Sequence, residues 1–121
     1  MVSPRPVAES KFFADPGTGV RRPVRVQIFT PRRSGNAVFC RVRMDGILAK
    51  PIRVFGEDTM QAVALSVRFV NNTLRTYYRE GWRYYCERSD RGSFAIWQVW
   101  GHSPRMRGFE VPGYAKKSLD A

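Results

Sequence analysis

A chain of 121 residues with 43% apolar and 26% charged residues has the size and composition of one globular domain. It is too short to bury a second core of useful size, and no apolar run approaches the roughly 18 residues a membrane helix needs. The formal charge of +11, from 21 basic and 10 acidic residues, attracts anionic partners without naming one.

That charge is spread along the chain: about +5 over residues 1–35, about +3 over 36–80 and about +3 over 81–121. Arginine outnumbers lysine 17 to 4, which suits planar, bidentate contacts. The first ten residues hold prolines and a glutamate rather than an apolar signal core, and only two cysteines are present, Cys40 and Cys86. A cytoplasmic protein with reduced thiols is the expectation.

Residues 1–22 hold three of the eight prolines and show no sustained period. They read as an N-terminal arm with a turn at Asp15-Pro16-Gly17, tacked down by Lys11-Phe12-Phe13. The domain proper spans 23–112, and 113–121 form a fraying tail. Val24, Val26 and Ile28 alternate with Arg25, Gln27 and Phe29, the period of a half-buried strand. Residues 31–36 read as a hairpin loop. A second strand over 37–44 puts Val38, Cys40, Val42 and Met44 on one face and Phe39, Arg41 and Arg43 on the other. Asp45-Gly46 is a turn pair. A third strand over 47–55 is interrupted by Pro51, which marks it as an edge strand or a bulged one.

A helix is expected over 59–80. Asp58 caps it with Gln61 three positions on, and Met60, Val63, Ala64, Val67, Val70, Leu74, Tyr77 and Tyr78 recur at helical spacing. Gly81 supplies the left-handed position beyond its end. A fourth strand over 82–87, a turn at Ser89-Asp90-Arg91-Gly92 and a fifth strand over 93–100 complete the order β-β-β-α-β-β. The fold class is α+β: a single domain with a mostly antiparallel sheet of about five strands and one long helix packed across one face.

Chemistry is scarce. The one histidine, His102, stands in a Gly-His-Ser-Pro loop without a nucleophile signature near it. Gly17-Thr18-Gly19 lacks the lysine and the preceding strand of a phosphate loop. Cys40, Cys86 and His102 lack the close spacing of a zinc site. These residues predict no enzyme, no metal and no cofactor.

What remains is surface. Between residues 75 and 100, Tyr77, Tyr78, Trp82, Tyr84, Tyr85, Phe94, Trp97 and Trp100 alternate with arginines, a composition that suits a stacking platform or a protein hot spot. Strand alternation should send about half of these rings into the core. Arg68, Asn72, Arg75 and Arg79 form one helical stripe. The expected partner-binding residues are Arg68, Arg75, Arg79, Arg83, Tyr85, Trp97 and Trp100. Arg41, Arg43 and Arg53 should project from the sheet face opposite the helix as a second basic surface.

The stretch 24–30, the Met44-Asp45-Gly46 turn, the run Phe55-Gly56-Glu57-Asp58-Thr59-Met60-Gln61-Ala62 and the late Gly108-Phe109-Glu110-Val111-Pro112 resemble a family of small bacterial proteins known as a domain of unknown function. The resemblance covers about residues 23–112, and proteins of this type look like immunity or antitoxin partners of toxins. The run into the helix also looks loosely like the N-terminal domain of HicB-type antitoxins, although this chain has no second, DNA-binding domain. The resulting expectation is a non-enzymatic protein that occludes a partner protein, a toxin or effector, with no membrane involvement. The alternative is a basic nucleic-acid-binding module, favoured by charge but lacking a recognised motif and, along the chain, the clustering that phosphate binding needs.

Overall fold

A computed structural model describes residues 5–86. Strands β1 (Pro6–Asp15), β2 (Arg22–Phe29), β3 (Arg32–Ser34), β4 (Ala37–Asp45) and β5 (Ile52–Gly56) precede helix α1 (Thr59–Arg79), and β6 (Arg83–Tyr85) follows it. Every pairing is antiparallel. The expected class, a single α+β domain with one helix on an antiparallel sheet, is the one found.

Register defines the sheet. Val42 pairs both Ile28 of β2 and Ile52 of β5, so these lie on opposite edges of β4. β3 pairs Ala37 to Phe39, whose other edge β5 occupies at Val38 and Phe39, so β3 continues the line of β2. Between Ile28 and Arg32 lie residues 29–31, against only Arg41 and Cys40 between Val42 and Phe39. That one extra residue is a bulge, placed where Pro31 has no N–H to offer a ladder. The described strands therefore run β5, β4, β2 with β3, β1, β6 across the sheet.

The main correction concerns the expected arm. Residues 6–15 are β1, paired with β2 from Pro6–Phe29 to Ala14–Arg22 and with β6 from Phe13–Tyr85 to Asp15–Arg83. Phe12 and Ala14 are buried. The strand escapes notice because its other inward positions, Ala8 and Ser10, are too small and polar to mark a period; cross-strand neighbours stabilise it instead. The Asp15-Pro16-Gly17 turn does form. The Asp15 carboxylate accepts the N–H groups of Gly17, Thr18 and Gly19 at 2.8, 2.9 and 3.1 Å.

The third expected strand, 47–55, is shorter: β5 begins at Ile52, after Pro51, and residues 46–51 form a turn and a bend that connect it to β4. The Ile47 and Leu48 N–H groups both reach the Met44 carbonyl, at 3.1 and 2.8 Å, which winds this segment back toward the core. Gly46 is required there, since φ is +94° and a Cβ would sit 2.5 Å from the Pro23 carbonyl oxygen. β5 pairs only with β4 among the described strands, the edge position that Pro51 implied.

Asp58 caps α1 as expected, in extended conformation, its carboxylate accepting from Gln61 N–H at 2.7 Å. The Gln61 side chain returns to the N–H of Glu57 at 2.6 Å, one residue earlier than the usual reciprocal box. The helix ends at Arg79, with Glu80 as C-cap and Gly81 at φ +111°. Its buried ridge is Ala62, Ser66, Val70 and Leu74. Met60, expected in the apolar stripe, is 80% exposed, and Ala64 also faces outward, while Val63 and Val67 are half-buried. The ridge is set by close approach of the helix to β5: a Cβ on Gly56 would lie 2.5 Å from the Ala62 nitrogen. Ser66 tolerates burial because its hydroxyl donates to the Ala62 carbonyl at 2.7 Å.

Under that ridge lie Val24, Val26 and Ile28 from β2, Val38, Cys40, Val42 and Met44 from β4, Phe12 and Ala14 from β1, and Tyr84 from β6. The fourth strand is shorter than the expected 82–87. The expected turn at 89–92, the strand over 93–100, the domain end at 112 and the tail lie outside the described residues, as does His102.

Candidate interaction surface

Among the described residues the sheet has one helix, so its two faces differ. Antiparallel partners share a face. Val26–Met44, Cys40–Val54 and Ala14–Tyr84 therefore place the core side chains under α1. Glu9–Gln27–Arg43, Lys11–Arg25–Asp45, Arg41–Arg53 and Phe39–Phe55 occupy the opposite face. Among the described residues no element covers that face.

Two regions divide it. On β1, β2 and the end of β4, charges neutralise one another. Glu9 meets Arg25 at 3.2 Å and Lys11 at 3.7 Å and accepts from the Gln27 amide at 3.2 Å, while Arg43 meets Asp45 at 3.2 Å. The Gln27 amide first, and then Arg25, holds the Glu9 carboxyl below its ordinary range. On β4 and β5 the cations outnumber the anions. Arg41 and Arg53 stand directly opposite each other, an arrangement that repels. Neither forms an ion pair among the described residues. Arg53 lies over the Phe39 ring, with its guanidinium carbon 5.0 Å from the centroid, and the Phe39 and Phe55 rings are 5.6 Å apart. Phe39 is thereby closed in to 8% exposure, whereas Phe55 remains 53% exposed. Arg32, opposite Phe39 on β3, adds a further exposed cation.

The second surface is the outer side of α1. Arg68, Asn72, Arg75 and Arg79 are all exposed and lie on one stripe, opposite the buried ridge. Helix residues 59–79 contain no aspartate or glutamate.

The remaining expected site residues sit elsewhere. Arg83 is half-buried and serves the fold: its guanidinium donates to the carbonyls of Tyr78 at 3.1 Å and Trp82 at 2.7 Å and lies 4.0 Å over the Tyr78 ring. It thus satisfies carbonyls at the C-terminal end of α1. Tyr85 is half-buried beneath Arg21, whose guanidinium carbon is 3.5 Å from the ring centroid. Tyr85 is on the sheet, facing away from the helix stripe, so the predicted set is not one patch. Trp97 and Trp100 lie outside the described residues.

Nor do the described rings of the 75–100 segment form an exposed platform. Tyr84 is buried, and Tyr77, Tyr78, Trp82 and Tyr85 are half-buried, with Tyr77 packed on Trp82 at 5.1 Å. Sequence reasoning missed Phe55 as a functional candidate and undervalued Phe39. The available signal was parity: Phe39, Arg41 and Arg43 share one side of their strand, as do Arg53 and Phe55 of theirs.

Burial pushes the Cys40 thiol pKa up, away from a reactive thiolate. No group of three metal-ligating side chains occurs among the described residues, and no described helix is long and apolar enough to cross a membrane. A cleft of about 280 Å³ between β1, β2 and α1 is lined by Ala8, Ser10, Val26, Ile28, Val67 and Val70, with Glu9 at its side.

The described residues define a class: a small antiparallel α+β domain with one helix packed on its sheet and a second sheet face that carries arginines and the exposed Phe55 ring. The chain belongs to the family described as a domain of unknown function, DUF6968, whose model matches residues 10–95. The match begins inside β1, so it includes most of the strand that the sequence pattern set apart as an arm. No curated protein and no solved structure matches the chain.

Proposed function

We propose that this protein is a non-enzymatic binding protein of immunity or antitoxin type, which neutralises a protein partner by laying its open sheet face over the partner's working surface. The observation that carries the reading is the cluster on β4 and β5: an exposed Phe55 ring beside the Phe39–Arg53 stack, with Arg41, in no ion pair among the described residues, directly across from Arg53. An exposed ring gives apolar area at low entropic cost, and flanking guanidinium groups reward an acidic rim on the partner. Arginines held side by side repel each other until a carboxylate lies between them, so the free surface is poised for an anionic face.

The test is affinity capture from the native host, followed by titration calorimetry against each purified candidate. The expected outcome is a one-to-one complex that Phe55→Ala weakens by about 1–3 kcal/mol and Arg41→Glu weakens further, with both variants melting like the wild type. A partner bound with unchanged affinity by both variants would remove the sheet face from the reading. Turnover of any substrate by the purified protein would remove the non-enzymatic assignment.

A further inference from the structure

The outer stripe of α1 is a second charged surface that the sheet-face reading does not use. Surface helices ordinarily mix signs, because acidic residues one turn away relieve basic ones. Here Arg68, Arg75 and Arg79 have no acidic neighbour anywhere within 59–79, and none of them forms an ion pair among the described residues. Arg75 and Arg79 are one turn apart and repel. None of the three is needed by the core, which the opposite ridge of Ala62, Ser66, Val70 and Leu74 supplies. The net charge is dispersed along the chain, but helical spacing gathers these three arginines on one line.

The geometry points to a phosphodiester backbone as the ligand of this stripe: we infer that α1 binds nucleic acid, without sequence preference, through Arg68, Arg75 and Arg79. From Arg68 to Arg79 the helix rises about 16 Å at 1.5 Å per residue. One strand of a duplex carries a phosphate about every 3.4 Å of axis, so roughly five phosphates lie alongside that stripe. Guanidinium groups bind phosphate bidentately, and the overall charge of +11 steers a polyanion toward the domain. A rod of α-helix about 10–12 Å across also matches the width of the major groove. Asn72, between the arginines, adds an amide that can donate to phosphate oxygen.

The inference is independent of the sheet-face reading, and one experiment separates them. Binding of the full chain to a mixed-sequence 20-base-pair duplex is measured by fluorescence anisotropy from about 50 to about 200 mM salt. The expected plot of log affinity against log salt has a slope of about −3, from three phosphate contacts. Arg75→Ala and Arg79→Ala should each flatten it by about one. Phe55→Ala and Arg53→Ala, on the opposite side of the domain, should leave it unchanged. No binding at about 50 mM salt, or a slope indifferent to the helix variants while every variant melts normally, overturns the proposal. Tighter binding of poly-glutamate than of the duplex at equal charge concentration would also overturn it, because the stripe would then favour an acidic polypeptide.

Discussion

The Tyr84 hydroxyl donates to the main-chain carbonyl of Leu74 at 2.7 Å, with both residues fully buried. Because Leu74 lies inside α1 and Tyr84 in the strand that follows it, this bond ties the far end of the helix to the β1 edge of the sheet. The Tyr84 ring also meets Phe12 edge-on at 5.7 Å, which joins β1 and β6 in the core. Burial pushes the Tyr84 phenol far above its ordinary range, so it stays a donor at every accessible pH. Tyr84→Phe keeps the ring and deletes only the hydroxyl, and it should cost about 1–2 kcal/mol. That corresponds to a melting-point loss of about 4–8 °C for a chain of 121 residues. A melt indistinguishable from wild type would show that the bond is not formed in solution.

Gly56 should tolerate no side chain. An added Cβ would lie 2.5 Å from the Ala62 nitrogen and 2.8 Å from its Cα, and backbone atoms cannot yield as a flexible side chain can. Gly56→Ala should therefore destabilise by about 1–3 kcal/mol through overpacking, although alanine ordinarily stabilises a chain by restricting its unfolded state. Urea denaturation of the two proteins decides the sign.

The Asp58 cap should be worth about 1 kcal/mol. Asp58→Ala removes the acceptor that Gln61 N–H reaches at 2.7 Å, and Asp58→Asn keeps an oxygen in place. Denaturation midpoints should fall in the order wild type, then the asparagine variant, then the alanine variant. An alanine variant as stable as wild type would argue against the cap.

Acid should weaken the fold through two surface carboxylates. The Gly17 N–H, with those of Gly19 and Thr18, holds Asp15 below its ordinary range; the Gln27 amide and then Arg25 do the same for Glu9. A carboxyl group with a lowered folded pKa binds protons more weakly folded than unfolded. Its contribution is fully present above the unfolded value and is lost as pH falls through the folded one. Stability should decline below about pH 4. Asp15→Asn, uncharged throughout, should make the decline shallower in urea melts between about pH 2.5 and about pH 6. An equally steep decline in the variant would exclude Asp15 as a source.

Cross-strand alternation and end signals were legible without any neighbour. Val24-Arg25-Val26-Gln27-Ile28 and Val38 through Met44 carry their own burial pattern, because a pleat turns successive side chains to opposite sides whatever lies beyond. Asp58, Gln61 and Gly81 mark the helix ends through local hydrogen bonds and local φ, and the arginine stripe follows from helical spacing alone. Partners across space were decided only in the tertiary structure. β1 exists because β2 and β6 pair with it, not because Ala8 and Ser10 demand a strand. Ser66 is buried and Met60 exposed because Gly56 lets the helix approach β5 on the ridge that contains Ala62. Arg83 turns inward because helix carbonyls lie within its reach, and Arg41 faces Arg53 because of the register between β4 and β5. Periodicity determines which side of its own strand or helix a residue occupies. Which atoms it meets depends on register and packing, which join residues far apart in the chain and leave no local trace.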